Sequence, residues 1–150
     1  MAGRFRPQKT GYADPDMPER ALAATALAIA CVAGAGCGAE EERDAAAAAE
    51  RFQAALERGD GRAACRELSA NAERAVERQE NAVCEEAILR LDLPRATFAT
   101  KARVYLRSAS GDLAEGSVMF MGEGPAGWKI TAAGCTPGAP GQPYDCELEG

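Results

Sequence analysis

The chain has 150 residues, 47% of them apolar but only 5% aromatic, and a net charge of −6. That length suits one domain, with a core assembled mainly from small aliphatic side chains, to which covalent staples would add useful stability. The acidic balance and the lack of a basic patch interleaved with aromatics exclude nucleic-acid binding. The chain contains no histidine, which excludes Ser-His-Asp and Cys-His catalysis and the usual imidazole-dependent zinc, copper and iron sites. No cofactor and no metal is therefore expected.

Residues 1–16 are polar and contain Pro and Gly. They are expected to be a disordered extension, or to lie ahead of a true start at Met17. From Met17 the chain passes through Arg20 into an uncharged apolar run, Ala21 to Gly36, followed by Glu40-Glu41-Glu42. The run falls short of the roughly 20 residues that span a bilayer. It lacks the polar face of a core helix. A basic flank, a short apolar stretch and a small-residue exit predict an export signal over 17–36.

The run ends in Gly34-Ala35-Gly36-Cys37-Gly38, which resembles the lipobox of bacterial lipoproteins. There, small residues precede a cysteine that is diacylated and becomes the mature N-terminus. The family prefers Leu or a similar residue where this chain has Gly34. Cys31, after Ala28-Ile29-Ala30, is a second candidate for lipidation. Ala33-Gly34-Ala35 would also suit an ordinary signal peptidase, giving a secreted protein without lipid. Cysteine parity favours Cys37. Five cysteines stand from that position onward, at 37, 65, 84, 135 and 146. An oxidising compartment disfavours a leftover thiol, and acylating Cys37 leaves four. The expected location is the extracytoplasmic face of a cell membrane, held by a lipid anchor.

Residues 37–43 are expected to be an acidic linker and 44–150 the folded domain. Asp44 to Arg58 predicts a helix, with Ala48, Phe52, Ala55 and Leu56 on one buried face, Asp44 as its cap and Gly59 as its end. Gly59-Asp60-Gly61 opens a second helix capped by Asp60, with Ala64, Cys65 and Leu68 facing inward. A third covers about Glu80 to Leu91, with Val83, Cys84, Ala87, Ile88 and Leu91 on one side. Ser69 to Gln79 is polar and is left open between helix and loop. Pro94 ends the helices and the period changes to two. Ala96 to Leu106 predicts a strand, with Phe98, Ala102, Val104 and Leu106 on one face and Thr97, Lys101 and Arg103 on the other. Ser108 to Asp112 predicts a turn. Leu113 to Met121 predicts a second strand, with Ala114, Val118 and Phe120 in one register. Trp128 to Ala132 predicts a third, its Trp128 face covered by the helices beside Phe52. Tyr144 to Glu149 adds a short edge strand after the Pro/Gly-rich stretch 137–143.

Helices followed by an antiparallel meander predict an α+β fold, N-terminal helices on a curved sheet of three to four strands. This layout resembles the NTF2-like (cystatin-like) superfamily over about Asp44 to Ile130. The resemblance rests on Phe52-Gln53-Ala54-Ala55-Leu56, Gly59-Asp60, the later strands and a closing Gly127-Trp128-Lys129-Ile130. Small actinobacterial-type lipoproteins also look like this, paired cysteines included. The resemblance implies a cone formed by helices and sheet.

Four cysteines allow three pairings. Neighbours in the chain are expected to join, Cys65 to Cys84 and Cys135 to Cys146, because both members of the first pair face inward and the second pair flanks the Pro/Gly-rich tail. The spacing suits neither a C-x-x-C redox motif nor a cysteine-only metal site. Acid–base chemistry would need a carboxylate isolated in an apolar register. Asp92, Tyr105 and Glu115 are the nearest approaches, and no catalytic residue is expected. The predicted function is a non-catalytic envelope module that takes a small apolar ligand or pairs with another envelope protein. The alternative is a small NTF2-like enzyme of the isomerase or cyclase type, which would place a buried, unpaired Asp or Glu near Tyr105 in a closed pocket.

Overall fold

The computed structural model describes residues 37–95 and 102–150. The proposed signal, Cys31 and the strand residues Thr97, Phe98 and Lys101 lie outside the described residues. By internal contacts the chain divides between Gly36 and Cys37, and the unit from Cys37 to Gly150 is α+β. Among the described residues, four helices, α1 (Cys37–Glu57), α2 (Gly61–Glu67), α3 (Ala70–Glu80) and α4 (Cys84–Ala87), precede a meander of five strands. These are β1 (Arg103–Tyr105), β2 (Ser108–Asp112), β3 (Val118–Gly124), β4 (Gly127–Thr136) and β5 (Asp145–Glu149). The sheet is antiparallel and open, in the order β1-β2-β3-β4-β5. It has one strand more than the expected upper count.

Helix α1 already covers the residues ahead of Asp44, so residues 38–43 are helical and not a linker. The alanines at 45–49 favour helix strongly enough to carry it upstream through Glu40 to Arg43. Its buried stripe is Ala45, Ala48, Ala49, Phe52, Ala55 and Leu56. The end is a Schellman motif: Asp60 N–H donates to Ala55 O (2.9 Å) and Gly59 N–H to Leu56 O (3.1 Å), with Gly59 at φ +65°. Asp60 then caps α2 by accepting from Ala63 N–H at 2.9 Å.

Ser69 caps α3 by accepting from Ala72 N–H, and Asn81 ends it in the left-handed region. The third helix therefore lies over 70–80, and the expected one over 80–91 shrinks to the single turn of α4. Cys84, Ala87, Ile88 and Leu91 remain buried, whereas Val83 is exposed.

Ser108–Asp112, expected as a turn, is strand β2. Its inward positions are Ala109 and Gly111, small side chains that let α1 approach the sheet. The turn falls instead at Leu106-Arg107, because Tyr105 pairs with Ser108. On β3 the core register is Met119 and Met121, while Val118 and Phe120 face the other side. Leu113 to Ser117 is a turn, closed by Leu113 N–H donating to Ser117 O, and Glu115 sits in it rather than on a strand. Two register shifts against β3, and Gly134 at φ +66°, bend β4. Beyond the end of β5, the α2–α3 joint continues the sheet: Leu68 bridges Ile130, and Ser69 N–H donates to Ile130 O at 2.8 Å.

Candidate functional site

The helical face of the sheet is filled. Phe52, Leu56, Ile88, Met119, Met121, Ile130 and Leu148 are all under 2% exposed. Trp128 belongs to the same cluster at 5% exposure, and its indole N–H donates to Glu41 Oε2.

Cys65 on α2 and Cys84 on α4 form one disulfide. The two helices touch so closely that a Cβ on Gly61 would stand 1.8 Å from the carbonyl oxygen of Glu85. Glu77 accepts the Cys84 backbone N–H, and Arg62 pairs with Glu85 at the surface. A groove of about 420 Å³ runs over this disulfide, bordered by Arg62, Arg66, Glu73 and Glu77. Its charges are mixed and largely solvated, a setting for ordinary surface ion pairs.

Cys135 and Cys146 stand opposite each other in the β4–β5 ladder and form the second disulfide. It lies on the face the helices leave uncovered, in a small separate cluster with Val118, Ala132 and the half-buried Phe120. Tyr144 packs edge-to-face on Phe120 with ring centroids 5.1 Å apart. Between them opens a groove of about 340 Å³, lined by Phe120, Thr131, Ala132, Pro143, Tyr144 and Glu149. The loop above it turns at Ala139–Gln142, where Gln142 N–H donates to Ala139 O and Gly141 has φ +85°. Pro140 followed by a left-handed Gly is the chemistry of a type II turn.

Cys37 is the first described residue of α1. Tyr105 is 81% exposed at a hairpin tip. Asp92 and Glu115 are exposed, and the buried polar side chains among the described residues are Gln53 and Ser117. The buried carboxylate beside Tyr105 that acid–base chemistry would need is not assembled among these residues. Among them there is also no group of three metal-ligating side chains, and no helix long and apolar enough to cross a membrane.

Two surface features are not legible in the sequence. The Phe120–Tyr144 groove has no local signal, because a period of two puts Phe120 on the face of Val118 without saying which face is covered. The exposed Tyr105-Leu106 tip is not legible either, because Leu106 continues the apolar alternation of Ala102 and Val104. The signal for the second was the Ser-Ala-Ser-Gly-Asp segment, whose alternating small residues pair back on β1. Comparison with family models, with curated proteins and with solved structures returns no match.

Proposed function

We propose that the chain is an exported, lipid-anchored envelope protein. Residues 17–36 are its signal peptide, Cys37 its diacylated mature N-terminus, and residues 37–150 a non-catalytic binding module at the extracytoplasmic face of a cell membrane. One observation carries the reading. Of the five cysteines from Cys37 onward, four are joined in two disulfides. Such bonds persist in oxidising surroundings. The cysteine left over stands at the first residue of the compact unit, and acylation removes its thiol.

The general plan, helices first and packed on one face of an antiparallel sheet, is what the NTF2-like reading rests on. A cone of that kind would take its ligand between helices and sheet, but Phe52, Leu56, Met119, Met121 and Ile130 occupy that space. Binding is therefore assigned to the outer face. There Phe120, Pro143 and Tyr144 border a groove that suits a small apolar ligand or an apolar side chain of another envelope protein.

Intact-mass analysis of the chain extracted from producing cells tests the anchor. The expected species begins at Cys37 and carries a diacylglyceryl adduct. A mature chain beginning at Gly36 without adduct overturns the reading.

A further inference from the structure

The groove on the outer face is apolar on one side and acidic on the other. Tyr144 packs edge-to-face on Phe120, and in such a pair the ring that presents its edge keeps both of its own faces uncovered by the other. Tyr144 remains 44% exposed, and the small Ala132 lines the groove between Phe120 and β5. Phe120 pairs with Ala132 on β4, and Ala132 with Glu149 on β5. Two strand spacings, about 10 Å, therefore separate Phe120 from Glu149. Because Met121 pairs with Ile130, Thr131 is the extra residue of a bulge, which brings its side chain onto the groove beside Ala132.

The charge around this groove has one sign. From Ile130 to Gly150 the chain has no Lys or Arg, and three carboxylates, Asp145, Glu147 and Glu149. All three residues are exposed, and none belongs to the ion pairs of the described residues. Lys129, the basic residue of β4, is directed to the Arg66 carbonyl on α2. Glu149 borders the groove itself. Its carboxylate thus lacks a basic partner among the described residues, and it shares the groove with rings whose π faces also attract positive charge.

We propose that this groove binds a small amphipathic cation, an organic ammonium whose apolar body lies on Phe120 and Tyr144 and whose charged end meets Glu149 beside the Thr131 hydroxyl. The inference rests on the assignment of binding to the outer face and names the ligand class of that site. An anionic ligand would meet carboxylates there and no basic side chain. The volume of about 340 Å³ lies at the lower end of small-molecule sites. The Pro/Gly-rich loop over the groove is pinned at both ends by Cys135–Cys146, so the concave shape exists before the ligand arrives, as in most small-molecule sites. A protein partner fits less well. A standard interface buries about 800 Å² on each side. Beyond the groove the outer face presents Ser108, Ser110 and Gly122, which do not extend an apolar contact.

The test uses the full chain as producing cells deliver it, in uncharged maltoside micelles, with empty micelles as the blank. The probes are phenethylammonium, the neutral 2-phenylethanol and the anionic phenylacetate, each titrated by saturation-transfer NMR. The cation is expected to bind about tenfold more tightly than the alcohol. Phenylacetate should be weakest, and the advantage of the cation should shrink as salt is raised. Glu149→Gln is expected to lower the affinity for the cation about threefold and leave that for the alcohol unchanged. Tyr144→Leu should weaken the cation more than the alcohol. Both side chains are exposed, and melts of the two variants check that they fold. Equal affinity for all three probes, lowered alike by Tyr144→Leu, overturns the cation while leaving the outer groove as the binding site. A preference for the cation that survives both substitutions unchanged lies elsewhere on the chain and overturns the inference. Absence of binding by every probe overturns the inference and the outer-face assignment together. A lysine-bearing apolar peptide that binds where phenethylammonium does not overturns the small ligand in favour of a protein partner.

Discussion

Trp128 donates its indole N–H to Glu41 at 3.0 Å, across a separation of 87 residues. This bond joins the opening turns of α1 to the start of the inner strand β4. It also satisfies the one polar atom of a side chain that is otherwise buried among apolar neighbours, a group that would be costly to leave unpaired.

Removing that side chain should therefore be severe. Trp128→Ala is expected to lower stability by about 3–5 kcal/mol, as for other large aromatic deletions from a core. Trp128→Phe keeps most of the volume and loses the bond to a charged acceptor, for about 1.5–3 kcal/mol. Urea titrations of both variants check the order. An unchanged melt for Trp128→Ala would mean that the ring contributes little to the fold.

The two disulfides should be mapped and then removed. Non-reducing peptide mapping should return Cys65 with Cys84 and Cys135 with Cys146. A crossed linkage, or four free thiols, contradicts the fold. Replacing either pair by alanine should cost about 2–4 kcal/mol, chiefly by freeing the unfolded chain. The spans are 19 and 11 residues, so by loop closure alone the Cys65–Cys84 pair should contribute about 0.5 kcal/mol more.

Gly61 is required by contact rather than by backbone angle. A Cβ there meets the backbone of Glu85, which cannot rotate away as a side chain would. Gly61→Ala should cost about 1–3 kcal/mol by forcing α2 and α4 apart. The cost should shrink in the Cys65→Ala/Cys84→Ala background, where the two helices can separate. Thermal melts of the four combinations form the double-mutant cycle that measures this.

Leu106 should behave in the opposite way. Its φ of +57° suits asparagine better than leucine, and its side chain contributes nothing to the core. Leu106→Asn is expected to raise stability by about 0.5–1 kcal/mol. A loss of stability would show that the leucine packs within the domain after all.

Much of the helical layer could be read directly. Gly59-Asp60 carries both the end of α1 and the cap of α2 in adjacent residues, because a left-handed glycine and a side-chain acceptor act locally. The disulfide partners were legible for a similar reason, each pair being close in sequence. The shared face of Trp128 and Ile130 followed from a period of two between large side chains. Where the buried residues are small, the pattern failed. Ala109 and Gly111 look like turn residues yet line the inner face of β2, and Val118 with Phe120 is an apolar pair on the outer side of β3. Which face of a strand is inside depends on what covers it, and Met119 and Met121 are inward because helices lie over them. The location of Leu106 at a tip depends on β1 pairing with β2, and the burial of Trp128 goes with its meeting Glu41. The second contact joins residues 87 apart, so no local pattern encodes it, and only the assembled tertiary structure determines it.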